Sequence, residues 1–283
     1  FGAGELNYSS DIDLILFFEK RLMEWQTDDP VSLYTRLAKA LIRIMQERTG
    51  DGYVFRTDLR LRPDPGSTPL VIPVETALHY YEAYGQNWER AAMIKARPVA
   101  GDLEAGRDVL GELSPFIWRK YLDYAAISDV HSIKRQIHAH RGHGEIKVAG
   151  HNIKLGRGGI REIEFFAQTQ QLIAGGRLPA LREIRTLDAL GALCREGWID
   201  ATARDELGTA YWYLRDVEHR IQMLADEQSH TLPEDRKGLE HIALMMGETG
   251  SQAFSSHLTQ VLRTVERHYA GLFEASPELT LPG

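Results

Sequence analysis

A chain of 283 residues, 43% hydrophobic and 26% charged, can bury one large core or two smaller ones, and its composition excludes disordered, collagen-like and coiled-coil classes. Lys+Arg 33 against Asp+Glu 40 leave a formal charge of −7, which argues against gripping nucleic acid by bulk charge. No apolar run approaches the roughly 18 residues that span a bilayer and no signal peptide is visible, so no membrane is expected as a partner; one cysteine, Cys194, excludes an internal disulfide framework and fits a reducing, cytoplasmic setting.

Residues 1–100 alternate between strand-like and helix-like segments. Ile12–Phe18 is a short β-branched and aromatic run, a strand by length. Val31–Thr49 is helical: Leu33, Leu37, Leu41, Ile44 and Met45 recur at three- and four-residue spacing, and Gly50 stands where a C-cap belongs. Tyr53–Arg62 alternates with period two, placing Val54, Arg56, Asp58, Arg60 and Arg62 on one face. Pro63–Ser67 is a turn and Pro69–Ile72 an edge-like strand. Beyond Pro73 the pattern is helical, broken at Gly85 and ended before Pro98.

From about residue 105 onward the pattern is one of helices and their connections. Leu207, Tyr211, Leu214, Val217, Ile221 and Leu224 form a seam that reads as core, and Phe254–Phe273 is a second amphipathic stretch. Gly142–Gly159 reads as a loop with a brief strand at Glu145–Val148. The expected layout is α+β: a small sheet with flanking helices over 1–107, then an all-α bundle over 108–283.

The strongest chemical signal is Ser9-Ser10-Asp11-Ile12-Asp13-Leu14. Carboxylates at i and i+2 of a strand project from one face with Cα atoms roughly 6–7 Å apart, a spacing that lets both reach a hard divalent cation. Asp58 lies at the centre of the second strand's polar face among Arg56, Arg60 and Arg62. If the strands are neighbours, three aspartates meet beside guanidinium groups that suit phosphate oxygens, which is the equipment of phosphoryl or nucleotidyl transfer. Solvated strand faces also carry mixed charge, so spacing alone leaves both readings open.

The wording around these aspartates narrows the choice. Gly2-Ala3-Gly4-Glu5-Leu6-Asn7-Tyr8-Ser9-Ser10-Asp11-Ile12-Asp13-Leu14-Ile15 resembles the nucleotidyltransferase core of the glutamine synthetase adenylyltransferase family. Arg56-Thr57-Asp58-Leu59-Arg60-Leu61-Arg62-Pro63 is similar to that family's third-aspartate strand. Asn87-Trp88-Glu89-Arg90, Met93-Ile94-Lys95-Ala96-Arg97 and Gly158–Phe165 resemble further family blocks, in the same order. The family's long enzymes carry two related halves: one adenylylates a tyrosine of glutamine synthetase with ATP, and the other removes AMP by phosphorolysis, releasing ADP. Lys154–Glu164 and Val217-Glu218-His219-Arg220-Ile221-Gln222 resemble the removing half. The adenylylating half, or a docking module for glutamine synthetase or a PII-type protein, is the alternative.

The resemblance implies a nucleotidyltransferase-type sheet in which Asp11, Asp13 and Asp58 are catalytic ligands of Mg²⁺ or Mn²⁺. It implies adenine nucleotide and phosphate as small partners, held by Gly4, Ser10, Arg56, Arg60, Arg62, Arg90, Lys95, Arg97, Arg157, Arg161 and Glu164. The superfamily's phosphate-cradling turn would fall at or before Phe1, so part of the cradle is expected to be missing. Arg90 and Arg97, seven apart, would share a helix face, or simply a solvated one. Arg157–Arg161 would make an anion-binding turn through the amides of Gly158 and Gly159, or merely start a helix. Glu162 and Glu164 diverge by roughly 200° on a helix, and Glu164 is the one expected to act. His131, His138, His140, His143 and His151 match no zinc spacing, and Cys194 reads as a buried structural thiol.

Overall fold

The computed structural model describes residues 1–19, 29–120, 146–225 and 227–274. The chain divides into two compact units, Phe1–Leu6 with Ser10–Tyr121 and Asn7–Ser9 with Leu122–Gly283. His131, His138, His140, His143 and Glu145 lie outside the described residues.

The first unit is built on four three-residue strands. The expected single strand over Ile12–Phe18 is two, β1 (Asp11–Asp13) and β2 (Leu16–Phe18), separated by Leu14 and Ile15. β1 pairs in parallel with β3 (Arg56–Asp58), and β2 with β4 (Val71–Pro73), so the two runs of one segment join two different ladders. Pro73 closes β4, where its missing N–H costs no ladder bond. Between β2 and β3 runs α1 (Pro30–Gln46). Its start is dictated locally: the Asp29 carboxylate accepts from Ser32 N–H at 2.9 Å and Pro30 occupies the first turn.

α1 has apolar residues on two sides. Val31, Tyr34 and Ala38 pack with Phe18, Val71, Leu16 and Leu70. The stripe Leu33, Leu37, Leu41 and Ile44 stays exposed, Ile44 by 65%. Two-stranded ladders can cover only one helix face, and the small Ala38 lets that face come close. The helix stops three residues short of the expected end: Gly50 belongs to the following turn, where Thr49 and Gly52 form an antiparallel bridge.

The predicted strand over Tyr53–Arg62 shortens to Arg56–Asp58. Asp58 Oδ1 accepts from Arg60 N–H at 2.8 Å, an Asx turn that ends the ladder. Helices α2 (Val74–Ala83), α3 (Asn87–Met93) and α4 (Leu103–Ile117) follow. The break at Gly85 is steric, since a Cβ there would collide with the Phe116 ring and Tyr81 O. The sequence reading divides the chain at 107/108; α4 runs through that point and packs on α2 and α3, so it belongs to the first unit.

The second unit is helical among its described residues: α5 (Ile160–Ala174), a 3₁₀ turn (Pro179–Leu181), α6 (Thr186–Arg195), α7 (Ala201–Ala225), α8 (Arg236–Met245) and α9 (Ser251–Glu274). The α7 seam is core as its periodicity requires: Leu207, Tyr211, Leu214, Val217 and Ile221 are buried against Phe254, Leu258, Leu262 and Val265 of α9 and against α5 and α6. Cys194 on α6 is half-buried rather than fully buried, with Arg204 Nη1 3.9 Å from its sulfur. Residues 146–159 carry no strand; Asn152 and Thr231 form a single antiparallel bridge there.

The glycines before α5 answer to packing. Gly158 has φ +73° and its Cα faces the backbone of α9, so a Cβ would run into Leu262 O. Gly158→Ala is expected to destabilise the helical unit by about 2 kcal/mol or more, from combined backbone strain and overpacking. A thermal melt unchanged within a degree would refute this account.

Candidate active site

The register of β1 and β3 decides what can meet. Asp13 is the Cα partner of Asp58 and Asp11 of Arg56, so two aspartates are direct neighbours across the ladder and the third sits two residues away on the same face. Paired strands lie about 4.8 Å apart, within the span of one or two bound cations and their carboxylates. Leu14 N–H continues the pairing by donating to Asp58 O at 2.8 Å.

Guanidinium groups hold two of the three carboxylates. Arg56 Nε is 2.9 Å from Asp11 Oδ1 and Arg56 Nη1 donates to the Tyr53 hydroxyl at 3.0 Å. Arg60 clamps Asp58 through Nε and Nη2 at 2.5–3.0 Å. That clamp keeps the Asp58 carboxyl below the ordinary carboxylate range. Among the described residues no three His, Cys, Asp or Glu side chains are drawn together tightly enough to hold a metal; the arginines occupy the carboxylates instead. The donor type and strand register fit a hard divalent cation, which would take the place that Arg56 and Arg60 fill. A cavity of about 530 Å³ opens here, lined by Asp11, Gln46, Arg48, Tyr53, Arg56, Thr57, Asp58 and Arg60.

The remaining candidates separate. Ser10 lies beside β1 with its hydroxyl 3.3 Å from Asp11 O. Arg62 is turned into the following loop, donating to the carbonyls of Leu59, Pro65 and Pro69 at 2.7–3.1 Å. Arg90 is buried: Nε and Nη2 donate to Ile117 O at 3.2 and 3.0 Å, and burial together with Arg119 pushes its pKa down to about 10. α3 ends at Met93, so Arg97 does not share its face; Arg97 donates to Gly2 O at 2.9 Å and Lys95 pairs with Glu5 at 2.9 Å. These two clasp the glycine turn, in which Gly4 takes φ +71° and its N–H bonds Phe1 O at 3.0 Å. Gly2 must be glycine for that clasp, because a Cβ would strike Lys95 O.

In the helical unit Arg157 pairs with Glu266, and Arg161 lies 3.4 Å from Glu164. The amides that an anion would need are taken by the protein: Gly158 N–H by the Glu162 carboxylate, Gly159 N–H by Gly156 O and Ile160 N–H by Ile153 O. Glu162 is buried, and its carboxylate accepts from Gly158 N–H at 2.9 Å, while Glu164 is partly buried beside Arg161. Gln46, Arg48, Tyr53 and Thr57 line the cavity without having been singled out as site residues from the sequence: Gln46 ends α1, Arg48 and Tyr53 stand on the loop that follows, and Thr57 lies on β3 between Arg56 and Asp58.

The tripeptide Asn7–Ser9, just before β1, groups with the helical unit. Ser9 N–H donates to Gln222 Oε1 at 3.0 Å, and Asn7 Oδ1 is 3.2 Å from His219 Nε2. The block Val217–Gln222 therefore has a definite structural task.

Comparison with known proteins matches this layout. The family described as "Glutamate-ammonia ligase adenylyltransferase" matches residues 1–112, and "GlnD PII-uridylyltransferase" matches residues 131–273. A "Bifunctional glutamine synthetase adenylyltransferase/adenylyl-removing enzyme" of Mesorhizobium japonicum is 66% identical over 286 residues, covering 99% of this chain and 28% of the relative's length. The chain belongs to the glutamine synthetase adenylyltransferase/adenylyl-removing enzyme family. Proteins of the same name from Rhizobium meliloti and Brucella melitensis are 67% and 65% identical, each covering 99% of this chain. The chain spans 28% of the length of these relatives, so it corresponds to one part of a family protein. Among the described residues no helix is long and apolar enough to cross a membrane.

Proposed function

We propose that the first unit is a nucleotidyltransferase-type catalytic domain that uses Mg²⁺ or Mn²⁺ and adenine nucleotide, with the second unit as its helical companion. The reaction proposed is removal of AMP from an adenylylated tyrosine of glutamine synthetase in the cytoplasm. The observation that carries this reading is the register pairing of Asp13 with Asp58, with Asp11 on the same face and arginines alongside. The resemblance of Lys154–Glu164 and Val217–Gln222 to the removing half supports the removing direction.

Asp11, Asp13 and Asp58 would hold the cation, which when bound neutralises charge on the phosphorus being transferred and on the departing oxygen. Arg56 and Arg60, now on the carboxylates, would turn to phosphate oxygens once a cation takes their places. An oxygen of inorganic phosphate forms the new bond to the α-phosphorus, the bond to the tyrosyl oxygen breaks, and the tyrosyl oxygen takes a proton. The products are ADP and unmodified glutamine synthetase. Phosphate is anionic near neutral pH, so positioning outweighs the need for a strong base.

The test is ADP formation on mixing the chain with adenylylated glutamine synthetase, phosphate and Mg²⁺. ADP production supports the reading; consumption of ATP with unmodified glutamine synthetase instead would assign the chain to the adenylylating direction. A cheaper check is thermal: millimolar Mg²⁺ or Mn²⁺ is expected to raise the melting temperature of the native chain and not that of Asp11→Ala/Asp13→Ala. Equal response in both proteins would count against the carboxylate site.

A further inference from the structure

We infer that Arg48, backed by the ring of Tyr53, is the residue that binds the attacking phosphate, which becomes the β-phosphate of ADP. The inference rests on the reading just given and adds a residue to it.

Three arginines line the cavity, and two are occupied: Arg56 by Asp11 and Arg60 by Asp58. Among the described residues Arg48 meets no carboxylate; its guanidinium stands 5.6 Å from the centre of the Tyr53 ring. Arg56 stands 5.7 Å from the same ring, so Tyr53 carries two guanidinium groups. An aromatic face holds a guanidinium in place without using its N–H donors, which remain available for an oxyanion.

The loop that presents Arg48 is fastened at both ends. Gln46 Nε2 donates to Thr57 O and Thr57 Oγ1 at 2.8 and 2.7 Å, tying the end of α1 to β3. Val54 and Phe55 N–H both donate to Met45 O, at 3.0 and 2.9 Å, and Thr49 and Gly52 bond one another through both backbone pairs. Arg48 and Tyr53 therefore stand beside Asp58 through a closed loop anchored on the strand that carries this aspartate. A fixed, charged donor beside the carboxylates suits a small tetrahedral dianion better than a purine ring, which has no charge to meet.

The experiment is binding, independent of turnover: titration of inorganic phosphate, ADP and AMP into the full chain with Mg²⁺, for the native protein, Arg48→Ala and Arg48→Lys. Arg48 is exposed, so its truncation should leave the melting temperature nearly unchanged. Arg48→Ala is expected to weaken phosphate and ADP about tenfold or more and to leave AMP unchanged, with Arg48→Lys in between. Unchanged phosphate and ADP binding would overturn the inference. Equal weakening of AMP would also overturn it, since that is the mark of general charge loss or of a contact to the α-phosphate. Native protein that binds no phosphate overturns it as well. Arg48-dependent phosphate binding in a chain that makes no ADP would sustain the site and sink the deadenylylation reading.

Discussion

Asp13→Asn combined with Asp58→Asn is expected to lower ADP formation about a thousandfold or more, with the fold intact. Amides match carboxylates in shape but carry no charge for a divalent cation, and a cation in this role contributes several kcal/mol to the transition state, each 1.36 kcal/mol being a factor of ten. The pair is chosen because the two residues face each other across β1 and β3, so their loss removes both walls of the site at once. The structural cost is small. The Arg60 side of the Asp58 pair is 83% exposed, and solvent screens such a surface pair. Arg60 lowers the folded Asp58 pKa, so whatever stability the pair brings is present above the usual carboxylate range. It is lost as pH falls through the lower folded value. The assay at neutral pH reads chemistry and not unfolding because Asn keeps the shape of the side chain and an acceptor oxygen for Arg60. A double variant with more than a tenth of native activity would remove the carboxylates from the mechanism.

Glu218→Ala is expected to cost the helical unit about 3–5 kcal/mol, a fall in melting temperature on the order of 10 °C. Glu218 is 1% exposed on α7 and gathers three cationic or ionisable groups: His230 Nδ1 at 2.8 Å, Lys154 Nζ at 3.7 Å and Arg215 Nε at 3.8 Å. Burial pushes its carboxyl pKa up, but His230, Lys154 and Arg215 together bring it below the ordinary value. A depressed folded pKa means that this stability is fully present above the unfolded carboxylate range, near 4.3, and is lost as pH falls through the folded value. Truncation leaves the cations without their anion, and one of them, Lys154, stands at the turn into α5. Calorimetric melts at pH 7 for the native chain, Glu218→Gln and Glu218→Ala decide the matter. A loss below about 1 kcal/mol in the alanine variant would show that the cluster is not structural.

These two residues differ in how far the sequence announces them. Asp13 is legible because i, i+2 spacing on a strand fixes a shared face whatever the strand pairs with, and because the words on either side of it resemble a family. Glu218 appears in the sequence only as part of such a word; its weight comes from His230 and Lys154, which lie 12 and 64 residues away (230 − 218 and 218 − 154). The arginines show the same divide. Arg60 is placed beside Asp58, and Arg62 on carbonyls of its own loop, by local geometry, whereas Arg56 meets Asp11 only through the pairing of β1 with β3 and Arg90 and Arg97 are used on the carbonyls of Ile117 and Gly2 that distant segments bring to them. Arg48 carries no motif at all and reaches the cavity because Gln46 and Met45 tie the loop to β3.

From the sequence by itself come the family, the three aspartates, the small-sheet unit followed by helices, and the cores of α7 and α9. The family rests on the resemblance of whole blocks of sequence and the meeting of Asp58 with Asp13 on strand pairing; the rest depends on nearest-neighbour spacing or on a hydrophobic period that survives any arrangement of the partners. Tertiary structure alone decided that one strand run splits between two ladders, that α1 buries Ala38 and leaves Leu37 outside, and that the amides of Gly158 and Gly159 serve the protein itself. Those outcomes turn on which distant backbone polar groups need partners and which helix face a narrow sheet can cover. Both are set when separate segments pack, and neither has a period along the chain.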